Sequence, residues 1–297
     1  MKLFHSSDSG NEWVGKLMRV LITGGSGLIG VRLCQLLKKD HHELIVLSRD
    51  PQTAADHLPA GVQVRWWDGA TPQGWGDLVN RETVFINLAG ACAISGLWSP
   101  DQAEAVLESR LAAADAIAEA VDAAPEKPYL LLQASSVDYY GDGGDDMLIE
   151  ESPVGDDWRA RLVAQCEAAT ADIPVRQLWL RLGMVLDPHR TVLPELLGGD
   201  GQWISWVHND DVARAIRFLL AKENASGPVN LVAPYPATAA CFRRALTEIR
   251  HATTAVPVAL VHTALQESQR VLPQKLTMLG FPFFFEDAED ALRALSL

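Results

Sequence analysis

The sequence predicts an α/β protein, a doubly wound parallel sheet with a smaller C-terminal α/β lobe. Three observations carry that expectation. Apolar, β-rich runs alternate with helical stretches through the first half. A glycine-rich turn joins the first run to the first helix. Beyond Leu186 the pattern loosens, with Pro188, Pro194, Gly198, Gly199 and Gly201 marking a loop-rich passage. Continuous apolar runs separated by helices describe strands buried on both faces, which is how parallel sheets occur.

The strands follow in order as MRVLIT from Met18, ELIVLS, VQVRWW, TVFINLAG and YLLLQASS. Between the last two, a long Ala-rich helix from about Asp101 to Ala123 sets Val106, Ala114, Ile117 and Val121 on one face, which should pack on the sheet. A second helix from about Asp157 to Ala171 precedes PVRQLWLRLGMVL, a further buried strand. WISWVHNDDVARAIRFLLAK then reads as a strand, a cap and a helix, with Asp210 or Asp211 as the N-cap that accepts the first-turn N–H groups. The expected organisation is a lead of residues 1–17, a tail or an ordered arm packed through Trp13 and Val14, then a dinucleotide-binding domain over 18–185. A C-terminal lobe over 186–297 follows, interleaved with the main sheet around 204–233.

Composition narrows the partners. With 297 residues the chain can bury a large core without disulfide or metal. A formal charge of −13 opposes binding to phosphate backbones and anionic membranes. No stretch approaches the ~18 apolar residues of a membrane span, and the first 17 residues lack a secretory h-region. Cys34, Cys92, Cys166 and Cys241 are scattered, without metal-ligand spacing, which suits a reducing cytoplasm and leaves no metal site expected. Eight acids and no base fall between Asp138 and Asp157, a run that reads as a solvated loop or an acidic rim on a cleft.

Chemistry enters at Thr23-Gly24-Gly25-Ser26-Gly27-Leu28-Ile29-Gly30, between the first strand and the first helix. This is the placement of a Rossmann dinucleotide loop. Its glycines permit a tight turn, close approach of a pyrophosphate and close helix packing, while the helix N-terminus supplies N–H donors. The second strand ends in Ser48-Arg49-Asp50-Pro51. An acid there would hold the ribose of NAD and an Arg the 2′-phosphate of NADP. Asp50 precedes a proline and reads as a turn former, so Ser48 and Arg49 become the phosphate clamp and NADP(H) the expected cofactor. Asp68, after the third strand, could bond the adenine amine or shape a surface turn. Leu88 and Ala89, after the fourth, would pass the ribose with backbone contacts.

TGGSGLIG, SRDP, NLAG, LESR, YYGD, LRLGMVL, WVHNDD, GPVNLVAPYP and RVLPQKLTMLGFPF, in that order over residues 18–297, resemble the short-chain dehydrogenase/reductase superfamily and, within it, the atypical epimerase family. The resemblance implies an NADP(H)-binding Rossmann domain under a smaller C-terminal lobe. It implies that Arg110 of LESR reaches back toward the cofactor, that Met184 borders the nicotinamide, and that two chains pair through the helices beginning near 101 and 157.

In the superfamily a Ser polarises the substrate oxygen while the Tyr of Y-x-x-x-K transfers the proton. Ser136 fits the Ser position of S-x-x-x-Y-G. Where Tyr and Lys should follow, the chain reads Trp158-Arg159-Ala160-Arg161-Leu162, and Trp has no usable acid/base equilibrium. Tyr139 is the substitute acid the sequence offers, with Arg161 as a nearby cation; the alternative for Tyr139 is an aromatic packed on the sheet. His208 is expected to hold a structural hydrogen bond. The passage from Asp187 to Gln202 is shorter than in relatives and weakens any inference about the substrate.

Two functions stay open on these residues. One is an NADP(H)-dependent oxidoreductase or epimerase of a small or nucleotide-linked carbonyl or hydroxyl substrate. The other is a non-catalytic NADP(H)-binding regulator or redox sensor, which the resemblance to relatives linked to cell division keeps in view.

Overall fold

The computed structural model describes residues 17–89, 100–188, 197–252 and 267–295. The lead before residue 17, Gly90, Cys92 and part of the short 187–202 passage lie outside the described residues.

Seven parallel strands form the central sheet: β1 (Arg19–Thr23), β2 (Glu43–Ser48), β3 (Gln63–Trp66), β4 (Thr83–Asn87), β5 (Leu130–Ser136), β7 (Gln177–Leu182) and β11 (Gly227–Leu231). Their spatial order is β3-β2-β1-β4-β5-β7-β11. The order reverses between β1 and β4, and at such a switch point the crevice outside the carboxyl ends of the strands receives ligands.

Alternating side chains divide the core in two. Val20, Ile22, Val46, Ile86, Leu132 and Leu180 face α1 (Leu28–Leu37) and α5 (Asn209–Leu220). Leu21, Ile45, Leu47, Phe85 and Leu131 face α3 (Pro100–Ala123), whose Ile117 and Val121 are fully buried. The remaining helices of this part are α2 (Pro51–His57) and α4 (Trp158–Ala171). Asp50 does form a turn: its carboxylate caps α2 by accepting from the Thr53 N–H at 3.1 Å, with Pro51 opening the helix. Asp157 caps α4 in the same way, accepting from the N–H groups of Arg159 at 2.7 Å and Ala160 at 3.1 Å.

The C-terminal lobe is built from short pieces. LRLGMVL is two strands rather than one: β7 stays in the sheet, and β8 (Met184–Leu186) leaves it to pair with β10 (Trp206–His208). Gly183 is the joint, because a Cβ there would come within 2.7 Å of the Ser205 carbonyl oxygen. WISWVH likewise breaks at Ser205, β9 (Trp203–Ile204) pairing with β12 (Ala237–Thr238). β6 (Met147–Leu148) pairs with β13 (Arg270–Val271), which ties the acidic run to the C-terminal segment. Helices α6 (Ala239–Ala252), α7 (Gln274–Met278) and α8 (Ala288–Ala294) complete the lobe, with Trp206, Phe242 and Leu292 at its centre.

The expected cap of α5 is corrected. His208 is the N-cap, its Nδ1 accepting from the Asp210 N–H at 3.1 Å. Burial lowers its pKa, which keeps the ring neutral and able to accept. Asp210 instead pairs with Arg32 at 2.5 Å, and Asp211 accepts from the N–H groups of Phe284 and Phe285.

Candidate cofactor cleft and active site

The glycine loop is closed by backbone contact. Gly24 adopts φ +66°, and a Cβ on it would lie 2.6 Å from the Leu88 carbonyl oxygen. On Gly30 it would lie 2.4 Å from the Gly25 Cα. Neither position admits a side chain, so the loop, the first turn of α1 and the Leu88-Ala89 turn are pressed together.

Beneath them three neutral side chains on adjacent strands form a floor. The Thr23 hydroxyl donates to Asn87 Oδ1, and Asn87 Nδ2 donates to Gln133 Oε1 at 2.8 Å. The Ala89 N–H donates to the Thr23 hydroxyl at 3.2 Å and so fixes the turn that follows β4. Thr23 is fully buried and supports the loop, and Gly30 is buried against Gly25.

Gly27, Leu28 and Ile29 remain at the accessible end of α1. Gly27 precedes the helix with no side-chain cap, and the first turn carries no acid. The helix N-terminus therefore keeps its N–H groups and positive dipole for an anion. A cleft of about 500 Å³ opens beside it, lined by Ser26, Gly27, Leu28, Arg32, Asn209 and Asp210. Asn209 Nδ2 donates to the Leu28 carbonyl at 3.2 Å and to Asp187 at 2.7 Å, anchoring this corner to α5.

At the end of β2, Ser48 is half-buried and its hydroxyl donates to the Asp50 carbonyl at 3.0 Å. Arg49 is exposed, and among the described residues it makes no hydrogen bond or ion pair. Both Asp50 carboxylate oxygens are engaged by Thr53, its N–H on one and its hydroxyl on the other, which holds the carboxyl below its usual range. Asp68 behaves similarly, accepting from the Thr71 hydroxyl at 2.6 Å and from the N–H groups of Ala70 and Thr71 at 2.8 Å. Of its two expected roles the structure shows the turn. Gly69, inside that turn at φ +93°, lies beside the Arg49 side chain.

At the carboxyl end of the sheet, Ser136 closes β5 and is half-buried. Its hydroxyl donates to Asp138 Oδ2 at 2.8 Å and accepts from the Asp138 N–H at 3.2 Å. From α3, Arg110 donates to the Ala134 carbonyl at 3.3 Å, two residues before Ser136. Met184 is half-buried, its N–H held by the Ser205 carbonyl at 2.8 Å.

Tyr139 lies flat against a cation, the Arg181 guanidinium carbon standing 3.4 Å from its ring centre. That places it in packing, and among the described residues its hydroxyl has no hydrogen bond. Arg161 turns away to the Asp156 carbonyl. The floor at this end is charged. Arg181 forks onto Glu167 at 2.8 and 2.9 Å and donates to the Tyr140 hydroxyl at 2.9 Å, which donates to Asn230 at 2.7 Å. Burial pushes the Tyr140 hydroxyl up to about 12. Burial opposes the Arg181 charge, yet Glu167 and Tyr140 outweigh it and raise its pKa.

The acidic run is less solvated than its composition suggests. Asp142 accepts from the Ser268 N–H at 3.1 Å and Asp145 from Trp203 Nε1 at 2.8 Å. Glu150, 4% exposed, accepts from the N–H groups of Asn230 and Lys275 at 3.1 Å. Several of the acids therefore staple the C-terminal lobe to the sheet. Sequence reasoning passed over this stapling, and also Glu267, whose carboxylate pairs with Arg159 directly beside Trp158. The available signal was an acid standing just before the RVLPQKL segment.

Comparison with known proteins agrees with this geometry. Residues 20–160 match the NAD dependent epimerase/dehydratase family, and residues 261–295 match a domain of unknown function, DUF1731. An epimerase family protein of Arabidopsis thaliana, the chloroplastic SDR39U1 homolog, is 31% identical over 94% of this chain and 86% of its own. The epimerase family protein YfhF of Bacillus subtilis is 30% identical over 94% and 98%. The crystal structure of human epimerase family protein SDR39U1 with NADPH superimposes with a TM-score of 0.79 at 27% identity, covering 94% of this chain and 99% of that one. A nucleoside-diphosphate sugar epimerase from Corynebacterium glutamicum gives 0.76 at 32% identity, covering 95% of this chain and 59% of that one. The chain belongs to the NAD dependent epimerase/dehydratase family.

Proposed function

We propose that this protein is an NADP(H)-dependent oxidoreductase or epimerase acting on a small or nucleotide-linked carbonyl or hydroxyl compound. The observation that carries the cofactor is Arg49, unpaired among the described residues at the end of β2, beside an Asp50 whose carboxylate is spent on capping α2. The glycine cradle and the uncapped start of α1 suit a pyrophosphate. Gly24, Gly27, Leu28 and Ile29 would hold it, Ser48 and Arg49 the 2′-phosphate, and Leu88 and Ala89 the ribose. Arg110 and Met184 border the reacting end. When bound, the cofactor supplies or accepts the hydride.

Ser136 is the polar group the chain presents at that end. To polarise a substrate oxygen, its hydroxyl turns from Asp138 toward the ligand while still accepting the Asp138 N–H. A cytoplasmic location and a homodimer through α3 and α4 accompany this reading. Tryptophan-fluorescence titration tests it: NADPH binds at least tenfold tighter than NADH, and Arg49→Ala abolishes the difference by weakening NADPH alone. Equal affinities in the wild type would overturn the NADP assignment.

A further inference from the structure

The start of α4 carries Trp158 and Leu162 where a proton relay would stand, so the residues placed above can position a cofactor and polarise an oxygen but, among the described residues, leave the proton without a carrier. We infer that Glu267, delivered by the C-terminal segment and oriented by Arg159, is the proton donor and acceptor of this site. The inference rests on the cofactor reading above and goes beyond it.

Geometry brings Glu267 there from three sides. Arg159 directly follows Trp158, and its guanidinium pairs with Glu267 Oε1. The Glu267 side chain is 11% exposed, and its second oxygen, Oε2, is buried without a hydrogen-bond partner among the described residues. The backbone carrying it is pinned. Gln202 Nε2 donates to the Glu267 carbonyl at 2.7 Å, and the Trp203 N–H donates to the Ser268 hydroxyl at 3.1 Å. Two residues on, Gln269 Nε2 donates to the carbonyls of Val137 at 3.2 Å and Gly141 at 3.0 Å. Val137 is the residue after Ser136. The segment bearing Glu267 thus lies against the chain that leaves the predicted catalytic serine.

The charged neighbours are Arg159 and Asp157 from the start of α4 and Asp138 from the turn after β5. Burial dominates, and with the two carboxylates it outweighs Arg159, pushing the Glu267 carboxyl up to about 7. A carboxyl with a free oxygen that is half protonated near neutrality suits both directions of acid/base transfer. In the reducing direction a hydride from the reduced nicotinamide bonds to the substrate carbonyl carbon. The C=O π pair moves to oxygen, which takes the proton from the Glu267 carboxyl. The products are an alcohol, a carboxylate and the oxidised cofactor, and water returns a proton to Glu267.

The test uses the full chain, NADPH, and 9,10-phenanthrenequinone as a carbonyl probe. In the wild type, kcat falls as pH rises through about 7. Glu267→Gln lowers kcat about 100-fold and removes that pH dependence, while KM for the quinone and the NADPH affinity change less than about threefold. Glu267→Asp recovers part of kcat and restores the titration. A Gln variant with wild-type kcat and pH profile, or one that loses only KM, overturns the assignment. A ¹³C-glutamate carboxyl resonance, assigned by its loss in Glu267→Gln, gives a reading that needs no turnover. Titration near 7 with NADPH bound supports the role, and titration near the ordinary 4.5 overturns it. Failure of the wild type to bind NADPH would instead overturn the cofactor reading.

Discussion

The two halves of the candidate site stand on different floors. Under the glycine loop the buried polar groups are neutral, Thr23, Asn87 and Gln133 in a line across three strands. Under Ser136 they are charged, with Arg181 forked onto Glu167 and Tyr140 closing the network to Asn230. At the first end the fit is made by backbone: Gly24 and Gly30 leave no room for a Cβ, so a ligand site is set by what is absent from the chain. At the second end side chains from four separate stretches meet on a fixed frame. Such an end can exchange one acid for another without moving a strand, which is the physical reason a site can lose a Tyr–Lys relay and keep its fold.

The sharpest way to break this contrast is to remove half of the charged floor. Arg181→Met leaves Glu167 buried and unpaired, and we expect a loss of about 4 kcal/mol of stability in urea unfolding. Arg181→Met with Glu167→Leu should recover most of it, because the second change removes the orphaned charge. NADPH affinity should change little in either, since neither residue approaches the glycine loop. A double variant no more stable than the single one would show that the pair contributes more than the sum of its desolvation and attraction.

At the neutral end stability and binding should fall together. Gly24→Ala forces a side chain into φ +66° and against the Leu88 carbonyl. The strain and overpacking together cost about 3 kcal/mol, and NADPH affinity should drop at least about 100-fold. Retained affinity in a destabilised protein would mean that the Leu88-Ala89 turn can yield without disturbing the pyrophosphate site.

The same division governs how much could be read from the chain. Strands β1 to β5, α3 with its buried face, α4 and the glycine loop all follow from local period and turn chemistry. Asp50 as a turn former was also legible, because Pro51 behind it announces a helix start. The breaks at Gly183 and Ser205 were not. Each splits an uninterrupted apolar run, and the cause is a contact between the two runs themselves, with Met184 N–H on the Ser205 carbonyl. His208 displaced the acids as the cap of α5 because Asp210 and Asp211 are drawn off by Arg32 and by the backbone of Phe284 and Phe285. Thr23, in a motif position that suggests a ligand, is claimed by Asn87 from 64 residues away. Glu267 was illegible for the same reason: what perturbs it is burial against Arg159, 108 residues distant in sequence.

Stability against pH sharpens the contrast further, since the neutral floor contributes nothing to it. Glu267 has a folded pKa of about 7 against the 4.5 of an unperturbed glutamate. Between those values the native state holds a proton that the unfolded chain has released, so stability must fall as pH rises. The contribution is fully present below about 4.5 and gone above about 7. Thermal unfolding from pH 5 to 8 should show this decline in the wild type and a shallower slope in Glu267→Gln. An unchanged slope would assign the decline to other groups, Glu150 first among them because burial also raises its pKa.

The smallest effect is the most discriminating. Asp157 caps α4 and is also one of the carboxylates that raise the Glu267 pKa. Asn caps a helix about as well as Asp, so Asp157→Asn removes the charge and leaves the helix start in place. With one repulsive neighbour gone, Glu267 should release its proton at lower pH, so the decline in stability should have a lower midpoint, end a few tenths of a pH unit earlier and be correspondingly smaller, while the low-pH plateau stays put. A shift in the low-pH plateau without movement of the midpoint would locate the effect in the cap. Movement of the midpoint, absent in the Asp157→Asn, Glu267→Gln double variant, would show that the two acids share one electrostatic site at the start of α4.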